Sequence, residues 1–539
     1  MPRVHARDGS PTARRVRVST TSLIWTVGFV LNLVLMPFKA YMSEPLPWTI
    51  EPPALNYTPT DSFDALSRTV FDYLSSEYNN KTLPASTIFT RDVTTNTYLL
   101  RYTLALPLDG ERACATYMFS LPGSAAYSQG VSTFVCDFLA QNTTARMAQT
   151  RYHCQIDTVA AWSVGVCCTW MEEMSELGAD TFEVYHSSLS FESHQVSLAK
   201  FMSRACLSLF VLYILWHRYY RLYQPLLYNL RTIGLNDDAN RYVVHMGDPT
   251  WLILSHPFVS LAMVVDILIN SLYGGTAVFR TSQLDDMFQF FLGGLYGSRM
   301  VWAAYMAMRY LNPLIERMKW EHRFQPVDAG LMAITASVYA GPLLYLVSRT
   351  SINWVFQWTG SLVVPPATAA QYYHTASSIL LILCTMACVP VVHSLTLQWA
   401  QSCCTHHKTR NYSHTDFNDW KQRFMFRCLR RQWHECAVVD GGVLYYLFDA
   451  NPRYKKFPLF SPRGADCFVS CLNAAGVVQR QVRLSLIFAL DMHTKDPTSA
   501  TCPTARAVCV IGDRVCDETK NALPSDKCIH LGANGCLWI

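Results

Sequence analysis

Long runs of apolar residues alternate with charged segments along this chain. A bilayer core of roughly 30 Å takes about 20 consecutive apolar residues of helix to cross. Six runs come close to that length: Ser22–Phe38, Ala199–Tyr219, Trp251–Gly274, Asp286–Met308, Asp328–Ser348 and Thr375–Trp399. The pattern therefore predicts an α-helical polytopic membrane bundle with six spans, located in the plasma membrane or an endomembrane.

Basic residues gather beside alternate ends of these runs. Four segments are rich in Arg and Lys: 1–21, 220–250, 309–327 and 400–539. The intervening connections, 275–285 and 349–374, hold one Arg each. Because Arg- and Lys-rich loops stay in the cytosol, we expect both termini to be cytosolic and segment 39–198 to lie outside. No small-residue cleavage site stands near Lys39–Ser43, so the first run is interpreted as an uncleaved signal anchor.

The outside segment, 39–198, is long enough for one folded domain, and its pattern predicts an α+β fold. Thr60 or Asp61 is placed to cap a helix. Helical spacing gives that helix the apolar face Phe63, Leu66, Val70 and Leu74. Strand-like runs follow at Thr87–Val93, Tyr98–Leu106, Cys114–Leu121, Val131–Leu139, Val159–Val166 and Phe182–Tyr185.

Three Asn-X-Thr patterns fall in this same outside segment, at Asn56, Asn80 and Asn142. Each is an acceptor pattern for N-glycosylation, which takes place outside the cytosol. The sequence therefore predicts a glycoprotein. A fourth pattern, at Asn411, lies in the cytosolic tail and is expected to stay unmodified.

Five cysteines lie in the outside segment: Cys114, Cys136, Cys154, Cys167 and Cys168. An oxidising compartment favours disulfides. The odd number leaves one thiol unpaired or bonded to another chain. Vicinal cysteines rarely bond each other, so we expect Cys167 and Cys168 to have different partners. The spacing does not determine the connectivity.

The C-terminal tail predicts a small mixed cytosolic domain, with strand-like runs at Val443–Phe448 and Val482–Leu490. The basic and aromatic stretch Trp420–Trp433 is typical of a helix on the anionic inner leaflet, or equally of an ordinary packed helix. Cys403 and Cys404 follow the sixth run closely enough to be candidates for acylation.

Asp266 and Arg299 are the ionisable residues that matter most inside the predicted spans, because hydrocarbon penalises charge. At the helical rise, Asp266 lies roughly 12 Å and Arg299 roughly 20 Å below the outer boundary. An Arg side chain covers most of that difference. The two residues are therefore predicted to face each other as an intramembrane polar pair. A latch that fixes helix packing is the preferred role, and a gate or an ion-coupled site is the alternative.

Small residues and prolines mark further positions in the spans. Gly293 and Gly297 form a small-xxx-small pattern, which permits close helix contact. We favour packing within the chain over dimerisation, although assembly into a homo-oligomer is also compatible with the pattern. Pro342 and Pro390 are predicted to kink the fifth and sixth spans.

No motif in the sequence indicates catalysis. It contains no phosphate loop, zinc-protease helix, nucleophile elbow or paired Cys-X-X-Cys unit. Cys467 and Cys471 have only a loose ligand spacing, so we predict neither a metal nor another cofactor. The net charge of +5 is spread beside the spans, which argues against a nucleic-acid partner. The expected partners are the lipid bilayer and an unknown extracytoplasmic ligand or protein.

Six spans with a large domain between the first two form a layout that resembles the mucolipin and polycystin branch of cation channels. The resemblance covers the order of the segments and no matched residues. It implies a pore loop at Ile352–Val364, an apolar stretch that would lie in the outer interface or re-enter the membrane. That stretch has no Asp or Glu, the residues that cation filters commonly use. We therefore favour a receptor-like or scaffolding protein with an outside binding domain, and a cation-channel-like protein is the alternative.

Overall fold

The fold combines a helical layer with two β-sheets. The computed structural model of the protein describes residues 14–53, 55, 62–105, 114, 118, 121–142, 151–173, 181–232, 241–254, 256–318, 320, 327, 329–404, 438–440 and 466–485. Its helices are α1 (Thr20–Val34), α2 (Phe63–Glu77), α3 (Gln129–Ala140), α4 (His194–Arg218), α5 (Tyr223–Thr232), α6 (Thr250–Leu254), α7 (Pro257–Ile269), α8 (Ser271–Thr281), α9 (Met287–Gly297), α10 (Val301–Arg317), α11 (Ala329–Val338), α12 (Leu344–Ser348), α13 (Asn353–Ser361) and α14 (Thr375–Cys404). The strands are β1 (Arg15–Val18), β2 (Phe89–Asp92), β3 (Thr97–Ala105), β4 (Tyr152–Val159), β5 (Trp162–Glu173), β6 (Thr181–Ser190), β7 (Arg241–His245), β8 (Tyr372–His374), β9 (Val438–Asp440), β10 (Asp466–Leu472) and β11 (Val478–Ser485).

Several helices have the length and composition needed to cross a membrane. Within the described residues three qualify alone: His194–His217, Gly330–Ser348 and Thr375–Thr396. Two bent pairs qualify if each pair is one span: Thr20–Val34 with Pro37–Thr49, bent by 68°, and Pro257–Ile269 with Ser271–Thr281, bent by 76°. Large apolar side chains such as Leu209 and Leu346 point outward, at 67% and 60% exposure. Such faces suit lipid better than water.

The prediction of six spans is not supported by the described part of the chain, where at most five helices or bent pairs qualify. The fourth apolar run, Asp286–Met308, is interrupted by a 3-10 turn at Ser298–Met300. The turn leaves α9 with 11 residues and α10 with 17, and α10 runs into charged sequence. α9 packs against α8, and α10 packs against α7 and α14. The two halves of the interrupted helix therefore pack against the two halves of the bent pair α7–α8.

The outside segment folds around a six-stranded sheet with the order β2-β3-β6-β5-β4-β8. We call β2–β6 with α2 and α3 the outer domain. Val70 and Leu74 of α2 are buried in its core, as the helical spacing predicts. The edge strand β8 comes from the connection between the last two helices that qualify as spans, and it pairs in parallel with β4. That connection is therefore part of the outer sheet.

A second, five-stranded sheet has the order β1-β7-β10-β11-β9. It joins three segments that are remote in sequence: the residues before α1, the residues before α6, and the C-terminal tail. β1 pairs in parallel with β7, and β10 pairs antiparallel with both β7 and β11. Three of the four segments predicted to share one side of the bilayer thus meet in one sheet.

Three predicted strands of the outer domain are wrong, and one of them, Val159–Val166, crosses the turn between β4 and β5. Val131–Leu139 lies in the helix α3, which Ser128 caps by accepting a hydrogen bond from the Val131 amide. The buried residues Val131, Val135 and Phe138 recur at helical rather than alternating spacing. Of the run Cys114–Leu121, residues Cys114 and Met118 are helical. Turn residues at the ends of these runs predicted strands, and the helical spacing within Val131–Leu139 outweighs that signal.

The small residues of α9 are used within the chain. A methyl group at Gly293 would lie 2.9 Å from the carbonyl oxygen of Ala277 on α8, and one at Gly297 would lie 2.8 Å from the Cβ of Ala340. Pro342 stands in a π-helical turn, Tyr339–Leu343, between α11 and α12. A wider turn accommodates the carbonyl that a proline leaves without its donor.

Candidate functional site

Three interruptions of helices converge on one buried group of charges. Pro37 starts a 3-10 segment after α1, Asn270 separates α7 from α8, and Arg299 lies in the turn between α9 and α10. Charged side chains at or near these breaks contact residues of α4. The members are Glu44, Glu192, Lys200, Arg204, Asp266 and Arg299, which we call the ionic cluster.

Glu44 faces all three cations of the ionic cluster and is 2% exposed. Its Oε2 lies 2.7 Å from Nη1 of Arg204 and 3.8 Å from Nζ of Lys200. Its Oε1 lies 3.6 Å from Nη1 of Arg299 and accepts a hydrogen bond from the Tyr296 hydroxyl at 3.2 Å. One carboxylate thus joins the connection after α1 to α4, α9 and the turn that follows α9.

Asp266 links the bent pair α7–α8 to the same cations. Arg204 donates to it from Nε at 3.0 Å and from Nη2 at 3.2 Å. Arg299 donates to Oδ2 of Asp266 from Nη2. Asn270, at the break, donates to the Asp266 backbone carbonyl at 2.7 Å. The structure therefore brings Asp266 and Arg299 into contact, with Arg204 as a third member.

Lys200 and Glu192 connect the ionic cluster to the outer domain. Lys200 contacts the Glu192 carboxylate and donates to Oδ1 of Asn270 at 2.7 Å. The Tyr273 hydroxyl donates to Oε2 of Glu192 at 2.7 Å and accepts from Nδ2 of Asn96 at 2.7 Å. Asn96 lies in the turn between β2 and β3. A continuous polar path therefore leads from the outer sheet to the helix breaks.

The charges of the ionic cluster balance, since three carboxylates face three cations. Burying a charge without a partner is expensive, while a buried pair roughly offsets its own desolvation. Balance is thus what permits three buried and three half-buried charged groups to lie together. An arrangement of this kind fixes geometry strongly while adding modest net stability.

Sequence reasoning located part of the ionic cluster and missed the rest. Lys200 and Arg204, near the start of the second apolar run, stand at i and i+4 on α4 and face Glu192 and Glu44. Glu44 and Glu192 lie outside the predicted spans, at the two ends of the outside segment. Two signals in the sequence could have indicated these contacts. Pro37 interrupts a helix shortly before Glu44, and the four-residue spacing of Lys200 and Arg204 puts both cations on one face of a helix.

The chain matches no protein-family model, no curated protein and no solved structure. The chemistry of the ionic cluster therefore rests on its own geometry. Within the described ranges, no group of three or more His, Cys, Asp or Glu residues is placed to hold a metal ion.

The cysteines of the outer domain form two disulfides. They join Cys114 to Cys136 and Cys154 to Cys168, so Cys167 and Cys168 do not bond each other, and only Cys168 has a disulfide partner. The remaining thiol, Cys167, is buried, and its Sγ lies 3.0 Å from Nε2 of His186. Burial raises the pKa of the Cys167 thiol well above its usual range and lowers the pKa of His186 to about 3. Both groups are therefore neutral at physiological pH.

The predicted glycosylation and acylation sites lie partly within the described residues. Asn80 is exposed, and its Oδ1 accepts hydrogen bonds from Arg101 and Tyr185. Asn142 is exposed just after α3, and Asn56 lies outside the described residues. Cys403 and Cys404 form the end of α14. The predicted helix Trp420–Trp433 also lies outside the described residues.

Proposed function

We propose that this protein is a receptor-like, multi-pass membrane protein without enzymatic activity, whose outer domain binds a ligand or protein partner. A displacement of the outer sheet would pass through the ionic cluster to the interrupted helices. The observation that carries the proposal is the polar path from Asn96 through Tyr273 and Glu192 to Lys200. Each step of that path joins a different structural unit.

Close packing between the outer domain and α8 supports this proposal. Tyr98 of β3 and Tyr273 of α8 meet edge to face with ring centroids 6.1 Å apart. The Tyr98 hydroxyl donates to the Ser43 carbonyl at 2.7 Å. Arg280, near the end of α8, donates to Oγ of Ser43 at 2.9 Å. The outer sheet, α8 and the segment containing Glu44 are therefore directly connected.

The proposal includes an orientation. The sheet that contains β1 and β7 faces the cytosol, together with both termini, and α1 is an uncleaved signal anchor. The outer domain faces the opposite side, where Asn80 and Asn142 are glycosylated. The basic residues beside β1 and β7 support this orientation. The exposed positions of Asn80 and Asn142 are compatible with attached glycans.

A cation-channel-like role is the second candidate, and the π-helical turn at Tyr339–Leu343 favours it. Turns of this type occur often at functional sites. The Tyr339 hydroxyl hydrogen-bonds Thr385 of α14, which joins the two helices that would line a pathway. Cation flux into liposomes that contain the purified protein would support the channel, and its absence favours the receptor.

Removing the Tyr273 hydroxyl tests the proposed coupling. In Tyr273→Phe, Asn96 and Glu192 lose a buried partner, at a cost of about 1–3 kcal/mol. Hydrogen exchange in nanodiscs is therefore expected to speed up by roughly tenfold both in β3 and around Asn270. Tyr213→Phe is the control, because Tyr213 is 58% exposed on α4. Faster exchange on only one side of Tyr273 would contradict the coupling.

A further inference from the structure

We propose that four exposed tryptophans seat the outer domain in the lipid–water interface of the outer leaflet. They are Trp48, Trp162, Trp354 and Trp358, which are 63%, 74%, 57% and 48% exposed, and we call them the tryptophan rim. They come from three separate segments, and each segment adjoins the outer-domain end of a spanning helix. This lipid-binding surface rests on the proposed orientation in the bilayer, but not on ligand binding by the outer domain.

The helix α13 carries two members of the tryptophan rim on one face. Trp354 and Trp358 stack with centroids 6.2 Å apart. The flanking Ile352, Leu362 and Val363 are also exposed, at 55%, 58% and 61%. This arrangement gives a short helix an apolar outer surface, as in helices that lie in the plane of a membrane interface.

The opposite face of α13 is fixed to the outer domain. Asn353 is buried and donates to Oγ of Ser124 at 2.6 Å. Gln357 donates to the Ser124 carbonyl at 2.7 Å. A methyl group at Gly360 would lie 2.2 Å from the ring of Tyr373, so the helix backbone approaches β8 closely. The exposed tryptophan face is therefore held in place and cannot fold back onto the protein.

Trp162 stands at the tip of the β4–β5 hairpin, beside the first turn of α14. The Ala160 amide donates to Nε2 of His374 at 2.9 Å. The Thr375 hydroxyl donates to the Thr158 carbonyl at 3.2 Å. Because α14 is one of the helices that qualify alone as a span, the hairpin tip lies where that helix leaves the bilayer.

Trp48 occupies the corresponding position beside α4, a second helix that qualifies alone. Its ring meets Phe201 of α4 edge to face, with centroids 5.5 Å apart. His194, the first residue of α4, hydrogen-bonds the Pro47 carbonyl at 2.7 Å. Trp48 therefore lies close to the point where α4 enters the hydrocarbon.

Lipid is the partner that this chemistry fits. Tryptophan concentrates at membrane interfaces because its ring is amphipathic. Apolar side chains of the nearby helices are exposed as well, namely Leu209 of α4, Leu346 of α12 and Leu380 of α14, at 67%, 60% and 49%. Residues 350–373 contain no charged side chain, so attraction to anionic headgroups plays no part at α13. The lipid surface that suits α13 is therefore a zwitterionic leaflet without net charge.

Depth-dependent quenching of fluorescence tests this placement in the full-length protein. The protein is reconstituted in phosphatidylcholine nanodiscs brominated either near the headgroup or near the chain ends. The emission lost in W354F/W358F, and separately in W162F, gives the contribution of those rings. We expect headgroup-proximal bromine to quench that contribution at least about twofold more than deep bromine, as interfacial rings require.

The control is W170F, because Trp170 is 2% exposed and stacks on Tyr185 in the outer-domain core. Its contribution should be insensitive to either lipid. Three results would overturn the proposal. Absence of quenching for the rim residues would place them in water, and stronger quenching by deep bromine would place α13 inside the hydrocarbon. If W162F and W354F/W358F disagree, the rim as a single surface is wrong.

Discussion

Glu44→Gln is expected to lower the free energy of unfolding by about 3–5 kcal/mol, the usual cost of breaking a buried ion pair. Glu44 is buried and faces Lys200, Arg204 and Arg299. The substitution preserves the shape of the side chain but leaves three cations against two carboxylates. The free energy of unfolding is measured for the full-length protein in mixed micelles.

Glu51→Gln provides the matched control, since Glu51 is exposed seven residues further along the same segment. Its substitution should change the free energy of unfolding by less than about 0.5 kcal/mol, as is usual at exposed positions. If Glu44→Gln has a similarly small effect, Glu44 is not held as an ion among the three cations.

Asp157→Asn is expected to stabilise the protein at pH 8 by up to about 4 kcal/mol, the free energy linked to a pKa raised from its ordinary range to about 7. Asp157 is 4% exposed in β4 and accepts a hydrogen bond from Nε2 of Gln155 at 3.0 Å. Burial raises the pKa of Asp157 to about 7, and the Gln155 donor only partly opposes that rise. Asn keeps the acceptor oxygen and carries no charge.

The direction of the pH dependence follows from this raised pKa. Below about pH 4 the carboxyl is protonated in both the folded and the unfolded chain, so it does not affect folding. Between pH 4 and about 7 only the unfolded chain ionises, and the native protein loses stability as the pH rises. Asp157→Asn should therefore match the wild type at pH 4 and exceed it at pH 8.

Thermal unfolding at pH 4, 6 and 8 checks this expectation. Asp72→Asn, at an exposed position of α2, is the control and should follow the wild-type profile. A variant Asp157→Asn that is less stable than the wild type at pH 8 would mean that the carboxylate is ionised and well compensated in the folded protein.

Local sequence patterns predict those features of the fold that depend on residues close together in the chain. The face Val70 and Leu74 of α2 follows from helical spacing. Contact between Asp266 and Arg299, 33 residues apart, was expected from the helical rise and the cost of charge in hydrocarbon. The first inference uses the spacing within one helix. The second compares the depths of two residues in neighbouring predicted spans.

Other features depend on pairings between remote segments, and the sequence does not determine them. β8 has three residues and pairs with β4 across more than 200 positions. Glu44 follows the end of an apolar run, so its burial depends on how α4 and α9 pack against it. The turn at Ser298–Met300 likewise depends on packing between segments that are remote in sequence. Arg299 is directed toward Glu44 and Asp266 there, although composition predicted a continuous span.

A double-mutant cycle on Glu44 and Arg204 tests most directly whether the ionic cluster is a balanced set of charges. The free energy of unfolding is measured for Glu44→Gln, Arg204→Gln and the double variant in the full-length protein. Because the double variant restores neutrality, we expect it to be more stable than Glu44→Gln alone, with a coupling energy of about 1–3 kcal/mol. Purely additive losses would contradict the account.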